Sequence, residues 1–291
     1  MIKVAVVGVG NLGKACIKQI KKNTTFELAA VFSRRPLKSA IPLDKINEYQ
    51  GKIDVVLACV GSREDAPKIV PLLAKNFNTV DSFDTHAKLA DYVRSIEESH
   101  AQSTDSPQPK VSIVAAGWDP GLLSVMRLYL TALLPRTEVR TFWGPGVSMG
   151  HTNALKQIDG VTDALQITVP LVKANSHKRI CYVVTDKSRR TEIKQTILQM
   201  PNYFKGQKVE IKFVDRLPKL TGHAGQITAK SKTAQANFKI SMTHNAQFTA
   251  QVMLAYALAN FNMQQDSLHG VFTAADVAPK YLFEADTVNL I

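Results

Sequence analysis

The sequence predicts an α/β protein, a doubly wound parallel sheet followed by a second, α+β domain built on a mixed sheet. Three observations carry that expectation. Over residues 1–120, short and wholly apolar runs alternate with segments of helical spacing, the rhythm of parallel strands joined by crossover helices. A glycine-rich turn separates the first such run from the first helical segment. After Pro120 the rhythm changes to strand-like runs with only short helices among them.

Each element follows from its local pattern. Residues 2–7 are apolar throughout, as in a strand covered on both faces. The segment 11–22 places Leu12, Ala15, Cys16 and Ile20 on one side and lysines on the other, which predicts an amphipathic helix. Strands are expected at 26–32, 53–60, 79–83 and 111–116, and helices at 64–76 and 88–99. The polar, Pro- and Ser-rich stretch 101–110 reads as a loop. A helix over 122–134 opens the second part. Strands are then expected at 139–143, 164–170, 180–185, 209–214, 225–230 and 236–241, with a short helix at 190–200. A helix over 249–260 and a loosely strand-like tail close the chain. The expected division is therefore 1–120, 121–248, and a final segment 249–291 that packs back on the first domain.

Composition narrows the function. With 291 residues there is room for two modest cores, and 45% hydrophobic against 21% charged residues excludes a disordered chain. The 36 Lys and Arg against 24 Asp and Glu leave a net charge of +12. The lysines are dispersed over helical segments (Lys18, Lys21, Lys22, Lys68, Lys75), and aromatic residues are only 7%, too few for base-stacking platforms. A solvated basic surface suited to an acidic small ligand is expected, and nucleic acid is not. No run approaches the ~20 apolar residues of a membrane helix, and the strand pattern starts at Ile2 without a signal segment. Cys16, Cys59 and Cys181 are odd in number, far apart and each in apolar surroundings. They read as reduced structural thiols of a cytoplasmic protein, and no metal site is expected.

The turn after the first strand is Gly8-Val9-Gly10-Asn11-Leu12-Gly13. Gly8 allows the tight turn, Gly10 lets backbone approach a pyrophosphate, and Gly13 lets helix and strand pack closely. Asn11 and Leu12 open the helix, whose free N–H groups and positive dipole end face the anion. This is the Rossmann dinucleotide-binding arrangement, and its bland alternative is a tight turn that binds nothing. The second strand runs into Ser33-Arg34-Arg35, where an NAD site carries an acid for the ribose 2′-hydroxyl. A hydroxyl and two guanidiniums suit a 2′-phosphate instead, which points to NADP.

Four further segments combine polar groups and glycines: Asp81-Ser-Phe-Asp84-Thr-His86, Ala116-Gly-Trp118-Asp119-Pro-Gly121, Phe142-Trp143-Gly-Pro-Gly146-Val-Ser-Met149-Gly-His151 and His177-Lys-Arg179. With the phosphate loop they resemble meso-diaminopimelate dehydrogenase over nearly the whole chain, to about Gln251, and the Met149-Gly-His151 wording resembles the shorter form of that enzyme. The resemblance implies reversible, NADP-dependent oxidative deamination at the D-centre of meso-2,6-diaminopimelate, giving L-2-amino-6-oxopimelate and ammonia in lysine metabolism. It implies that Asp84 and Asp119 hold the reacting ammonium with Trp118 beside them. Trp143 and Met149 would wall the pocket, and Thr168, Arg179, His223 and Asn245 would hold the distal L-amino-acid end. It further implies a homodimer formed largely by residues 121–248, with residues 1–120 holding the cofactor.

The residue types fit this chemistry independently. A substrate with two ammoniums and two carboxylates needs both acceptors and cations, which Asp84, Asp119 and Arg179 supply. Amine oxidation also needs a base, for which a carboxylate or an ordered water would serve. Taken singly, Asp119 or Asp84 could instead cap a helix, His223 could be a turn residue and Asn245 a loop residue. His151 at a helix start reads as structural. The chain departs from the family pattern at Thr152-Asn153, which alters a helix cap, and at Asn245-Ala246, where a rigid Asn-Pro turn is usual. Two other readings remain open: an NADP-dependent dehydrogenase with a broader range of D-amino acids, separated by activity on D-alanine or D-lysine, and an NADP-sensing regulator that binds the cofactor without turnover.

Overall fold

A computed structural model describes residues 1–102, 109–134, 136–171, 176–201, 203–285 and 287–290. The loop expected at 101–110 lies mostly outside the described residues. In chain order the elements are β1 (Ile2–Val7), α1 (Asn11–Ile20), β2 (Phe26–Ser33), β3 (Ile41–Pro42), β4 (Val55–Ala58), α2 (Ala66–Ala74), β5 (Thr79–Asp81), α3 (Leu89–Ala101) and β6 (Val111–Val114). They continue with α4 (Leu122–Leu133), β7 (Val139–Trp143), β8 (Gly146–Val147), α5 (Met149–Lys156), β9 (Asp163–Pro170), β10 (His177–Val184) and α6 (Arg190–Gln199). Last come β11 (Lys208–Phe213), β12 (His223–Lys230), β13 (Gln235–Met242), α7 (Asn245–Gln265) and β14 (Gly270–Thr273). The chain divides into two compact units, Met1–Val125 with Ala246–Ile291, and Met126–Asn245.

The first unit is built on a seven-stranded sheet in the order β14-β6-β5-β4-β1-β2-β3, with every neighbouring pair parallel. Alternation along β1 explains its two covers. Ile2, Val4 and Val6 pack with Ala15, Cys16 and Ile20 of α1 and with α7, whereas Ala5 and Val7 pack with α2 and α3 on the other face. Strand order reverses between β1 and β4, which places the switch point at the carboxyl ends of those two strands, where open α/β sheets bind ligands. The helix α7 is longer than the expected 249–260, and ten of its residues are buried. Its Asn260 Nδ2 donates to the carbonyls of Thr79 (3.1 Å) and Val111 (3.0 Å), tying the C-terminal segment to β5 and β6.

In the second unit the expected mixed sheet is two sheets. A four-stranded sheet runs β11-β10-β9-β8, with β10 and β11 parallel and the other pairs antiparallel. A three-stranded antiparallel sheet runs β13-β12-β7. Leu155 of α5 and Ile193 and Ile197 of α6 close a core over Ala164, Cys181 and Val183. Two residues are too few for β8 to show a period, and its Gly-Pro-Gly surroundings read as a loop. Its pairing partner, β9, is what makes it a strand.

Candidate active site

The glycine turn after β1 has the geometry its residues demand. Gly8 has a φ of +101°, and a Cβ there would collide with the Cys59 carbonyl at the end of β4. A Cβ on Gly13 would collide with the Gly8 carbonyl, so only glycine lets α1 approach this closely. Gly10 differs. Its missing Cβ would meet nothing within 4 Å, which leaves open space at the amino end of α1 for a ligand to approach the backbone. Asn11 is exposed and Leu12 half-buried in the first turn of α1. A pyrophosphate fits this cradle by backbone N–H groups and helix dipole alone.

At the end of β2 the three remaining cofactor candidates part ways. Ser33 is buried, and its hydroxyl accepts a hydrogen bond from the Arg35 amide (3.1 Å), so it shapes the turn while keeping a proton to donate. Arg34 is exposed and paired with Asp65, just ahead of α2. A guanidinium carries five donors, so this pair leaves others for a phosphate. Arg35 is exposed.

Asp84 follows β5. Its amide donates to Ser62 Oγ (3.2 Å), and the residue is exposed although protein atoms crowd its carboxyl. That crowding pushes its pKa above the ordinary carboxylate value, opposed by the Ser62 hydroxyl and the charge of His86. Asp84 does not cap the 3₁₀ turn His86–Lys88, whose N-cap position is Thr85. Asp119 and Trp118 lie in a tight turn after β6. The Gly117 amide donates to the Pro120 carbonyl (3.1 Å), and Gly121, at φ +126°, abuts the Gly117 backbone so closely that no side chain fits. Ser124 of α4 donates to Asp119 Oδ1 (3.3 Å). Both aspartates stand at carboxyl ends of adjacent strands of one sheet.

The second unit brings a separate set together. Arg179 on β10 lies opposite Thr168 on β9, and its Nη1 donates to Thr168 Oγ1 (2.6 Å) while its Nε donates to Gln207 Oε1 (2.9 Å). Burial lowers the guanidinium only to about 10, so it is cationic at neutral pH. That charge adds to burial in lowering His177, and His151 is held down to about 3 by burial, then by Arg179 and His177. Trp143 reaches the same cluster, with its ring 6.1 Å from that of His177 and the Arg127 guanidinium 5.9 Å from its centroid. The Gly144 amide donates to the Ala224 carbonyl (2.7 Å), and Gly144 and Gly146 pass so close to Thr168 and His223 that a Cβ would clash with backbone at each. His223 is buried and lines a cavity of about 810 Å³ with Phe142, Pro145, Pro170 and Met242. Trp143, Thr168 and Arg179 do not line that cavity.

Met149 is the first residue of α5, two positions beyond Val147, which pairs with Ile167. Asn245 opens α7 rather than lying in a loop, three residues past Met242, the pairing partner of His223. His151 bonds Ser148 (3.0 Å) and meets Tyr203 and Phe204 edge-on, a packed structural position.

Sequence reasoning passed over Gln207, Asp65, Gln166 and Asp81. Gln166 shares the buried face of β9 with Thr168, and its side-chain amide has no hydrogen-bond partner among the described residues. Nothing local marks Gln207 or Asp65, but Asp81 stands three residues before Asp84 in a segment already dense in polar groups. Among the described residues there is no group of three or more His, Cys, Asp or Glu that could hold a metal, and no helix is long and apolar enough to cross a membrane.

A parallel sheet with a glycine cradle at its switch point, arginines after β2 and carboxylates at neighbouring strand ends define the class, a dinucleotide-dependent oxidoreductase. Comparison with known proteins makes this specific. The diaminopimelic acid dehydrogenase C-terminal domain model matches residues 117–253. The meso-diaminopimelate D-dehydrogenase of Acetivibrio thermocellus is 34% identical over 97% of this chain and 94% of that protein. The enzyme of the same name from Corynebacterium glutamicum is 33% identical over 100% and 98%. Among solved structures, C. glutamicum DAP dehydrogenase in complex with DAP superimposes with a TM-score of 0.90 at 32% identity, over 99% of this chain and 98% of that one. An engineered D-amino acid dehydrogenase bound to NADP+ gives 0.88 at 31% identity over the same shares. The chain belongs to the meso-diaminopimelate D-dehydrogenase family.

Proposed function

We propose that the protein catalyses the reversible, NADP-dependent oxidative deamination of the D-centre of meso-2,6-diaminopimelate, giving L-2-amino-6-oxopimelate and ammonia. The observation that carries the reading is the donor set: two carboxylates at adjacent strand ends, and a half-buried, charged arginine anchored by Thr168 and Gln207. A substrate with two ammoniums and two carboxylates calls for both. Bound NADP supplies the hydride acceptor, and Gly8, Gly10, Asn11, Leu12 and Gly13 hold its pyrophosphate, with Ser33, Arg34 and Arg35 at the 2′-phosphate.

Asp84 and Asp119 bind and orient the reacting ammonium beside Trp118. The amine must be neutral before hydride leaves its carbon, and the raised pKa of Asp84 suits it to take that proton. Water adds to the resulting substrate imine, and ammonia leaves. Arg179 and Thr168 hold the distal carboxylate, His223 and Asn245 the rest of that end, and Trp143 and Met149 shield it. The family relationship supports a cytoplasmic homodimer acting in lysine biosynthesis.

Arg179 and Asp119 fail differently under this reading, and a kinetic matrix of two variants and two substrates tests it. Arg179→Ala leaves the distal carboxylate unpaired and raises the Michaelis constant for meso-diaminopimelate about thirty- to a thousandfold, equivalent to roughly 2–4 kcal/mol. Any activity on D-alanine, which lacks that carboxylate, stays nearly unchanged. Asp119→Asn lowers turnover on both substrates with NADP affinity intact. Equal damage to both substrates from Arg179→Ala would overturn the assigned orientation.

A further inference from the structure

Asp81 is 1% exposed at the carboxyl end of β5, and no part of the chemistry above uses it. Its Oδ1 accepts two backbone hydrogen bonds, from the Phe83 amide (2.8 Å) and from the Ala115 amide (3.1 Å). Its Oδ2 accepts the Tyr92 hydroxyl (2.8 Å), and its carbonyl accepts the Ala116 amide (2.7 Å). Tyr92 in turn stacks on the Phe83 ring, with centroids 4.0 Å apart and planes 16° apart.

These contacts hold two different stretches of chain. Phe83 immediately precedes Asp84, and Ala115 and Ala116 lead into the turn that carries Trp118 and Asp119. Ala115 has a φ of +55°, a conformation that costs a residue with a Cβ energy and persists only when its surroundings impose it. The Asp81 carboxylate is the group that receives its amide. A buried carboxylate with two backbone donors and one hydroxyl donor has three of about four acceptor positions filled, so it has little spare capacity for a ligand and a strong preference for this one arrangement.

We propose that Asp81 is a positioning residue for the reaction: by binding both chain segments through one oxygen, it fixes the spacing between Asp84 and Asp119 at the reacting amine. The inference rests on the reading that those two aspartates contact the amine. Tyr92 completes the device by bonding the second oxygen and stacking on Phe83, the residue immediately before Asp84.

The test compares Asp81→Ala, Asp81→Asn, Tyr92→Phe, Asp84→Asn and Asp119→Asn, with kcat for meso-diaminopimelate counted per NADP-binding site. Asp81→Ala is expected to lower kcat about ten- to a hundredfold, the scale of a misplaced reacting group, with the dissociation constant for NADP within twofold of wild type. Asp81→Asn restores most of that loss, because its Oδ1 still accepts both amides. Should Asp81→Ala fail to fold, Tyr92→Phe carries the test with an expected three- to tenfold fall in kcat. A residue that only stabilised the fold would lower the number of NADP-binding sites and leave turnover per site unchanged, which would overturn the proposal. Unchanged kcat in both Asp81→Ala and Tyr92→Phe would do the same. If Asp84→Asn and Asp119→Asn were themselves without effect, the underlying site reading would fail, and the inference with it.

Discussion

Arg34 and Arg35 stand where β2 ends, and the structure shows that they are not equivalent. Arg34 already has Asp65 as a partner, whereas Arg35 contributes its amide to the Ser33 turn. Each charge-assisted bond to a 2′-phosphate is worth roughly 1.5–3 kcal/mol, so Arg34→Ala and Arg35→Ala should each weaken NADP about tenfold or more, with NAD little affected. Titration of each variant with both cofactors checks this, and unaltered NADP affinity in both variants would remove the assignment. His151 makes a prediction of another kind. Its native pKa near 3 lies below the ordinary value of 6.5, so between those values the unfolded chain binds a proton that the native one refuses. Stability therefore falls as pH drops through that window, by about 2 kcal/mol between pH 7 and pH 5. His151→Gln should flatten the wild-type difference in denaturation midpoint between those two pH values, and an equally steep difference in the variant would contradict the burial of a neutral ring.

At the scale of elements, α7 shows how the fold recruits the C-terminal segment. Its central stretch, residues 252–260, is apolar on nearly every side because it is buried, and Asn260 fixes it against β5 and β6. Asn260→Ala leaves the carbonyls of Thr79 and Val111 without that donor, which should destabilise the protein by about 2–4 kcal/mol in chemical denaturation. A loss below 0.5 kcal/mol would mean that packing and the other hydrogen bonds of the helix, such as that from Asn78 Nδ2 to Gln264 (2.8 Å), hold it without Asn260. The same contrast explains what could be read in advance. Strands β1, β2, β4 and β6 show as short apolar runs between turn residues, and helices α1 to α3 show a period of 3.6 over enough residues to be recognised. The short strands β3 and β8 exist only through their partners, and the division of the second unit into two sheets depends on the Trp143–Val147 segment crossing from β7 to β8. Of the proposed site, the glycines announce themselves by spacing, whereas Arg179 and the two aspartates, each open to a bland reading when taken singly, stand out through the resemblance to the family. Gln207, Asp65 and the anchoring role of Asp81 do not, because each acts through a contact distant in sequence.

For the whole molecule, the proposed reading draws on residues of both units. The first offers a glycine cradle, arginines and two carboxylates; the second offers a half-buried cation with neutral donors around it. A net charge of +12 favours approach of an anionic cofactor without requiring any nucleic acid, whereas a substrate with two ammoniums and two carboxylates is net neutral and is selected by the placed charges of the site instead. Such an asymmetric donor set should distinguish the two ends of a nearly symmetric substrate, which makes stereochemistry the most exacting consequence of the account. The measurement is the rate of NADP reduction, followed by absorbance, with the meso, L,L and D,D isomers of 2,6-diaminopimelate supplied separately. The account predicts rapid reduction with the meso isomer, release of one ammonia per molecule oxidised, and no reduction with the L,L isomer. Comparable turnover of the L,L isomer, or NADP binding with no turnover of any isomer, would contradict it.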